Sequence, residues 1–390
     1  MFWHKKKRIY LDYASTTPVL PEVKKVMDKY WSEDFYNPSA LYEEGLRVRR
    51  EVEDYRTSTA RILGASKKNV IFTASGTESN NLAILGAFEK ALETVKNPHI
   101  IISSIEHPAI LKTALEVKRR GGAVTILEVD EEGLISPEAL KRELRENTFM
   151  ISLSLANSEI GTIQPVSKVG RIIREYRKEK ESDFPLLHSD ASQALNYVSF
   201  TLESLQADLL SLDGSKIYGP KGVGVLVMRT GVNLLPIILG GSQEKGLRAG
   251  TLNPALIAGF SQALEEASKI REEESKRLES LREYFIHQVS KRILEAIFNG
   301  SEESHLPNIV SVSIPNTLSE FLALKFDKEG FMVSVGTACS LDEQVSGSPV
   351  IKALGKDYLK ESTLRFSFGR ETTKREIDEV VEVFCRITQI

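Results

Sequence analysis

The sequence predicts an α/β protein: a large domain on a mostly parallel sheet, with a smaller α+β domain attached. Three observations lead there. From Val70 to Met228, short β-branched runs alternate with helical patterns, as in strand–helix–strand units whose sheet is covered on both faces. After Pro254 the alternation stops and one long helical stretch begins. The chain has 390 residues of ordinary globular composition, 41% hydrophobic and 27% charged, enough for two or three domains at about 150 residues each. The expected division is 18–255 for the large domain and 1–17 plus 256–390 for the small one.

Val70-Ile71-Phe72-Thr73 reads as a strand, and Glu78 to Val95, with Leu82, Ile84, Leu85 and Phe88, as a helix. His99 to Ser103 is a strand and Ala109 to Arg119 a helix. Val124 to Val129 is a strand, followed by a helix from Pro137 to Arg145 that Ser136 starts. Phe149 to Leu155 is a strand and Val166 to Lys178 a helix. Leu186 to Asp190, Asp208 to Leu212 and Val223 to Met228 complete the strands of the large domain. Apolar residues from Leu256 through Phe260 and Leu264 to Leu281, Phe285 and Ile293 predict one helix over Leu256 to Phe298, charged at its middle. Strands are expected at Ile309 to Ile314, Phe331 to Val335 and Leu364 to Phe368, and a last helix at Lys374 to Ile387.

Composition excludes several classes. Lys and Arg number 51 and Asp and Glu 54, a net charge of −3, which lacks the basic footprint of a nucleic-acid or membrane-surface binder. No apolar run approaches the roughly 20 residues that span a bilayer. The basic cluster Lys5-Lys6-Lys7-Arg8 runs into Ile9-Tyr10-Leu11-Asp12 without the apolar core of a signal peptide and reads as a solvated arm. Two cysteines, Cys339 and Cys385, make no disulfide framework and suit a reducing, cytoplasmic setting. No metal site is expected.

In open α/β sheets ligands bind beyond the carboxyl ends of the strands, so the residues that follow each strand matter most. Lys216 lies just past a buried strand in Asp213-Gly214-Ser215-Lys216, a good position for a Schiff-base amine, although taken alone a lysine there reads more readily as a surface residue; Lys221 sits in an exposed Gly-Pro-Lys-Gly turn. Asp190 ends another strand. A lysine and an acid at strand ends fit pyridoxal phosphate, whose ring nitrogen needs the acid. Ser75-Gly76-Thr77-Glu78 opens a helix after a strand, which suits a phosphate and also a capping box. His107 follows a strand, and Asn157-Ser158-Glu159-Ile160-Gly161-Thr162 follows Leu155. Gly240 to Thr251 is a polar, glycine-rich loop. Cys339 lies in a small polar loop, whereas Cys385 lies among Val380, Val381, Val383 and Phe384 and reads as a core thiol.

These segments, in this order, resemble the cysteine desulfurases of the NifS/IscS type, fold-type I pyridoxal-phosphate enzymes of the class V aminotransferase group. The resemblance runs from Leu11-Asp12-Tyr13-Ala14-Ser15-Thr16-Thr17-Pro18 to Arg365-Phe366-Ser367-Phe368-Gly369-Arg370. It implies that Lys216 carries the cofactor, that Asp190 faces the pyridinium and that Gln193 donates to the ring oxygen. It implies His107 stacked on the ring and serving in proton transfer, Gly76, Thr77 and Ser215 at the phosphate, and Thr251 reaching the phosphate of the other subunit of a homodimer. Asn157, Asn37 and Arg365 would face the substrate, with Arg365 as the carboxylate clamp. Cys339 would take sulfur as a persulfide, and the long interval from Cys339 to Arg365 resembles the IscS-like group.

The implied reaction converts L-cysteine to L-alanine and passes the sulfur to an iron–sulfur scaffold or sulfur-carrier protein, for cluster assembly or tRNA thiolation. Selenocysteine lyase, another class V enzyme, and a non-catalytic paralogue that binds a sulfur-transfer partner are the alternatives. Two departures from the family pattern stand out. The family's Ser-x-His-Lys is Asp213-Gly214-Ser215-Lys216 here, and Tyr42 stands where a histidine is common. A carboxylate beside a phosphate is repulsive unless it turns away or is paired, so Ser215 is expected to touch the phosphate and Asp213 is not.

Overall fold

The structure is a computed structural model and describes residues 8–336 and 347–388. Its strands are β1 (Ile9–Tyr10), β2 (Val70–Thr73), β3 (His99–Ser103), β4 (Ala123–Leu127), β5 (Thr148–Ser154), β6 (Leu186–Asp190), β7 (Leu209–Asp213), β8 (Gly224–Met228), β9 (Ile297–Asn299), β10 (Ile309–Ser313), β11 (Phe331–Met332), β12 (Ser334–Val335) and β13 (Thr363–Ser367). Its helices are α1 (Pro21–Ser32), α2 (Glu43–Ile62), α3 (Gly76–Ala91), α4 (Pro108–Arg119), α5 (Pro137–Glu143), α6 (Val166–Lys180), α7 (Pro254–Arg292), α8 (Ser319–Glu329), α9 (Pro349–Ala353) and α10 (Lys374–Thr388).

Seven strands form the main sheet in the order β2-β8-β7-β6-β5-β3-β4. All neighbours are parallel except β8, which is antiparallel to both β2 and β7. Alternate residues of each strand feed two separate apolar layers. Phe72, Ile101, Ile151, Leu187, Leu210 and Val227 face one, and Ile71, Ile100, Ile102, Met150, Leu209 and Leu226 face the other. A sheet buried on both faces explains why its strands read as unbroken apolar runs. The alternation expected from Val70 to Met228 is therefore the alternation observed, with strand and helix limits moved by a few residues.

Helix α7 joins the two halves of the molecule. Asn253 caps it by accepting from the Leu256 N–H at 3.1 Å, and Pro254 occupies the first helical position, where a missing N–H costs nothing. Its first third, with Ala258, Phe260 and Leu264, packs into the core of the large sheet. Leu278, Leu281, Phe285 and Val289 pack into the small domain's core with Val312, Phe326, Phe366 and Phe384. Each of the Leu, Phe and Val side chains is worth about 1.5–3 kcal/mol of burial, so the helix is committed to both cores. The helix ends at Arg292, not at the expected Phe298. Ile297 to Asn299 pair antiparallel with β10 instead, because a sheet edge satisfies their backbone and a last helical turn would not.

The small sheet runs β12-β13-β10-β9. Strand β1 pairs with β11, and Asp12 bridges to Ser367, so the N-terminal segment packs with the C-terminal strands up to that point. Helices α1, α2, α8 and α9 were not among the expected elements, although Pro21 at a helix start and Glu43-Glu44 in a first turn are local signals for two of them. Arg8 pairs with Asp327, while Lys5, Lys6 and Lys7 of the basic arm lie outside the described residues. Among the described residues, no helix is long and apolar enough to cross a membrane.

Candidate active site

Residues 12–17 cross from the small domain to the carboxyl ends of β6 and β7, and the site is assembled around them. The Thr17 N–H and hydroxyl both donate to the Ser215 carbonyl at 2.9 Å, and the Tyr218 N–H donates to the Thr17 hydroxyl at 2.7 Å. These bonds hold the turn that follows β7. The Lys216 ammonium donates to the Ala14 carbonyl at 3.1 Å and to the Ser15 carbonyl at 2.5 Å. The Gln193 amide donates to the same Ala14 carbonyl at 2.8 Å, so Gln193 and Lys216 meet at one oxygen.

Asp190 ends β6, directly beside Ser211 of β7 and Ser154 of β5. Its carboxylate accepts from the Asn80 amide at 2.7 Å and from the Ser192 N–H at 3.0 Å. Two residues earlier, buried His188 bridges the hydroxyls of Ser152 and Ser211 at 2.8 Å each, tying three strands together. Burial lowers its pKa to about 4, so the ring behind Asp190 is neutral.

Strand β2 leads into α3 through Ser75, whose hydroxyl accepts from the Glu78 N–H at 3.1 Å, while Glu78 accepts from the Ala74 N–H at 2.7 Å. The forward half of the capping box forms, while the Glu78 carboxylate reaches the N–H of Ala74, one residue before the cap. The opening of α3 also meets β7. The Gly76 N–H donates to Asp213 at 2.9 Å, and the Ser215 N–H and hydroxyl donate to the same carboxylate at 2.8 and 2.6 Å. Gly224, at the start of β8, lies against Ser75; a side chain there would come within 2.5 Å of the Ser75 carbonyl oxygen, so only glycine fits. Thr77 is exposed at the helix start.

Arg365, on β13, donates to Asp12 at 2.5 Å and to the Ser158 carbonyl at 3.0 Å, and its buried Nε has no partner among the described residues. Asn157 is buried, and its amide holds two loops: it donates to the Ile105 carbonyl at 2.9 Å and accepts from the N–H groups of Glu159 and Ile160 at 2.8 and 3.0 Å. The loop it holds carries His107, which caps α4 by accepting from the Ala109 N–H at 3.1 Å through Nδ1; the neutral ring then carries its proton on Nε2. Asn37 is exposed and closes a turn by accepting from the Ser39 N–H at 2.8 Å. It takes part in none of the contacts described above for Lys216, Gln193, Asp190, Arg365 and Asn157. Thr251 is exposed in the single chain. Cys339 lies outside the described residues. Cys385 is partly buried at the edge of the small core, and that burial raises its pKa.

Besides Asn80 and Ser192, three residues with a part here were not singled out from the sequence. Asp12 pairs with Arg365 across the chain. Glu106, next to His107, is buried; it accepts from the Ser103 hydroxyl at 2.6 Å and from the Ser154 N–H and hydroxyl at 3.0 and 2.6 Å, and burial pushes its carboxyl up to about 7. Glu159 is also buried, bonded to Ser348, and pushed up to about 7 by that burial. An acid inside a motif whose neighbours are apolar or small is the signal that could have found Glu159.

A pyridoxal-phosphate group fits the donors at the ring end. Lys216 supplies an amine, Asp190 an acid oriented by Asn80, and Gln193 an amide beside the lysine. Ser192 is 8% exposed and its hydroxyl has no partner among the described residues, an unspent donor aimed at the start of α3.

The chain belongs to the class V aminotransferase family, whose pattern matches residues 9–380. A protein of Dictyoglomus turgidum named cysteine desulfurase IscS is 41% identical over 98% of this chain and 95% of its own length. Cysteine desulfurase IscS 1 of Archaeoglobus fulgidus is 38% identical over 96% of this chain and 95% of its own. Among solved structures, a NifS-like protein superposes with a TM-score of 0.89 at 33% identity, covering 97% of this chain and 99% of that one. A protein described as SspA in complex with cysteine gives 0.79 at 33% identity, covering 92% and 98%. The mostly parallel α/β sheet with its smaller domain is thus the fold of these enzymes.

Proposed function

We propose that this chain is a pyridoxal-phosphate-dependent cysteine desulfurase that turns L-cysteine into L-alanine and passes the sulfur to its own Cys339. The observation that carries the reading is the convergence of Lys216, Gln193 and Asp190 at the ends of two adjacent parallel strands, tied to Arg365 through residues 12–17. Full-length relatives named cysteine desulfurase support it, and nothing in the site favours the selenocysteine lyase or the non-catalytic alternative.

When bound, the cofactor supplies an electron sink for the substrate's α-carbon. Lys216 would hold it covalently, Asp190 would keep its ring nitrogen charged, and Ser192 and Gln193 would donate to its oxygens. Arg365 would bind the substrate carboxylate, with Asp12 and the Ser158 carbonyl fixing its guanidinium. Lys216, and His107 through Nε2, would move protons. Cys339 would attack as thiolate, which a small polar loop favours over the apolar setting of Cys385.

The active unit in this reading is a homodimer, with Thr251 of each copy serving the other's site. The acceptor is an iron–sulfur scaffold or sulfur-carrier protein, in a reducing cytoplasm. One turnover with L-cysteine and no reductant, followed by peptide mass spectrometry, tests the mechanism. Added sulfur is expected on the Cys339 peptide with an equivalent of alanine. Sulfur on Cys385, or alanine with sulfur on neither thiol, overturns it.

A further inference from the structure

Asp213 stands where the family pattern has a serine, and the structure supplies the partners that its charge requires. We infer that the Asp213 carboxylate is an internal anion seated at the phosphate end of the cofactor site, so that a bound phosphate must share that end with it. The inference rests on the pyridoxal-phosphate reading above.

Three donors at the start of α3 and in the turn after β7 are already spent on this carboxylate. They are the Gly76 N–H at 2.9 Å, the Ser215 N–H at 2.8 Å and the Ser215 hydroxyl at 2.6 Å. Ser215 was expected to serve the phosphate; here its proton goes to Asp213. A separate observation marks the spot as a ligand site. Ser192 is buried with its hydroxyl unpartnered, and a methyl group added at Gly76 would lie 3.3 Å from that hydroxyl and 3.1 Å from the Asp213 side chain. An uncompensated donor and a seated carboxylate therefore face the same helix start.

Among the described residues, the charged side chains of the first turn of α3 and their partner do not offset a second anion. Glu78 adds a carboxylate in the first turn, and Arg248 is already committed to it at 2.9 Å. A helix N-terminus carries about half a positive charge, enough to stabilise one anion. A phosphate arriving beside Asp213 meets a like charge in a half-buried setting, which costs binding. The penalty falls on the phosphate alone. Pyridoxal, which has the ring but no phosphate, escapes it.

Equilibrium dialysis of the apo-protein against pyridoxal phosphate and against pyridoxal tests this in the native chain and in Asp213→Ser and Asp213→Asn. Both variants are expected to bind pyridoxal phosphate about tenfold more tightly than the native chain, with pyridoxal binding unchanged. The native chain is expected to prefer the phosphorylated form by less than about tenfold. Equal or weaker binding of pyridoxal phosphate by the folded variants overturns the inference and leaves the cofactor reading standing. So does a native preference of about a thousandfold, even where neither variant folds. If no protein binds pyridoxal phosphate, the cofactor reading fails and the inference fails with it.

Discussion

Glu159 shows how one buried group can couple the site to pH. Its Oε1 has no partner among the described residues, and a side chain at Gly336 would come within 2.1 Å of it; Ser348 bonds the same carboxyl. The carboxyl thus touches both described flanks of the segment that carries Cys339. Burial raises its pKa to about 7, outweighing Ser348 and Arg365, which lower it. The folded state then holds a proton that the unfolded chain gives up at an ordinary glutamate pKa. Its contribution to stability is complete below about 4.5, falls as pH rises through about 7, and is gone above that. Glu106, raised in the same way, adds a slope of the same sign. Urea denaturation of Glu159→Gln should match the native protein near pH 5 and exceed it near pH 8 by roughly 1–3 kcal/mol. A gap that does not grow with pH would show that Glu159 is ionised in the fold.

At the scale of elements, the buried Arg56–Glu244 pair fastens the glycine-rich loop to the sheet. Arg56 makes a two-pronged contact with Glu244 at 2.7 and 2.8 Å and also donates to the Val70 carbonyl at 2.8 Å. The Phe72 N–H donates to Glu244 at 2.9 Å, so edge strand β2 finds its partner in a side chain. Glu244 takes a left-handed backbone, φ 45°, to reach in, a conformation that costs a non-glycine residue energy and persists because the pair holds it. Glu244→Ala leaves the buried Arg56 guanidinium with only Glu53 at 3.0 Å and the Val70 carbonyl, leaves the Phe72 N–H without its acceptor, and should cost about 3 kcal/mol in urea. Arg56→Lys should recover little, since one ammonium cannot make a fork. A loss below about 1 kcal/mol would show that the loop is held by other contacts.

For the whole molecule, the expectation is a shared pair of sites. Trp31, Phe35, Leu41 and Leu239 are exposed in the single chain, and Thr251 faces outward on the loop that Glu244 anchors. Exposed apolar residues of this size and number suit a covered surface. Mixing Lys216→Ala with Thr251→Glu protein after subunit exchange should restore about a quarter of native activity, because half the dimers are hybrids and each hybrid has one intact site. Absence of recovery, with hybrids shown to form, would mean that each chain completes its own site.

The sequence by itself determined the alternation of strands and helices from Val70 to Met228, the long α7, and the position of Lys216 and Asp190 at strand ends. Those features are written locally, in apolar runs, in caps such as Asn253 and Ser136, and in the residue that follows each run. Only the tertiary structure decided the rest. It made β8 antiparallel to both neighbours, drew Ile297 to Asn299 out of the helix into a sheet, and gave Asp213 its partners at Gly76 and Ser215. It also paired Arg365 with Asp12 from the opposite end of the chain. The physical reason is common to all of these. A hydrogen bond or ion pair between distant segments leaves no periodicity or spacing in either segment, and it exists only once packing has removed water and brought the two together.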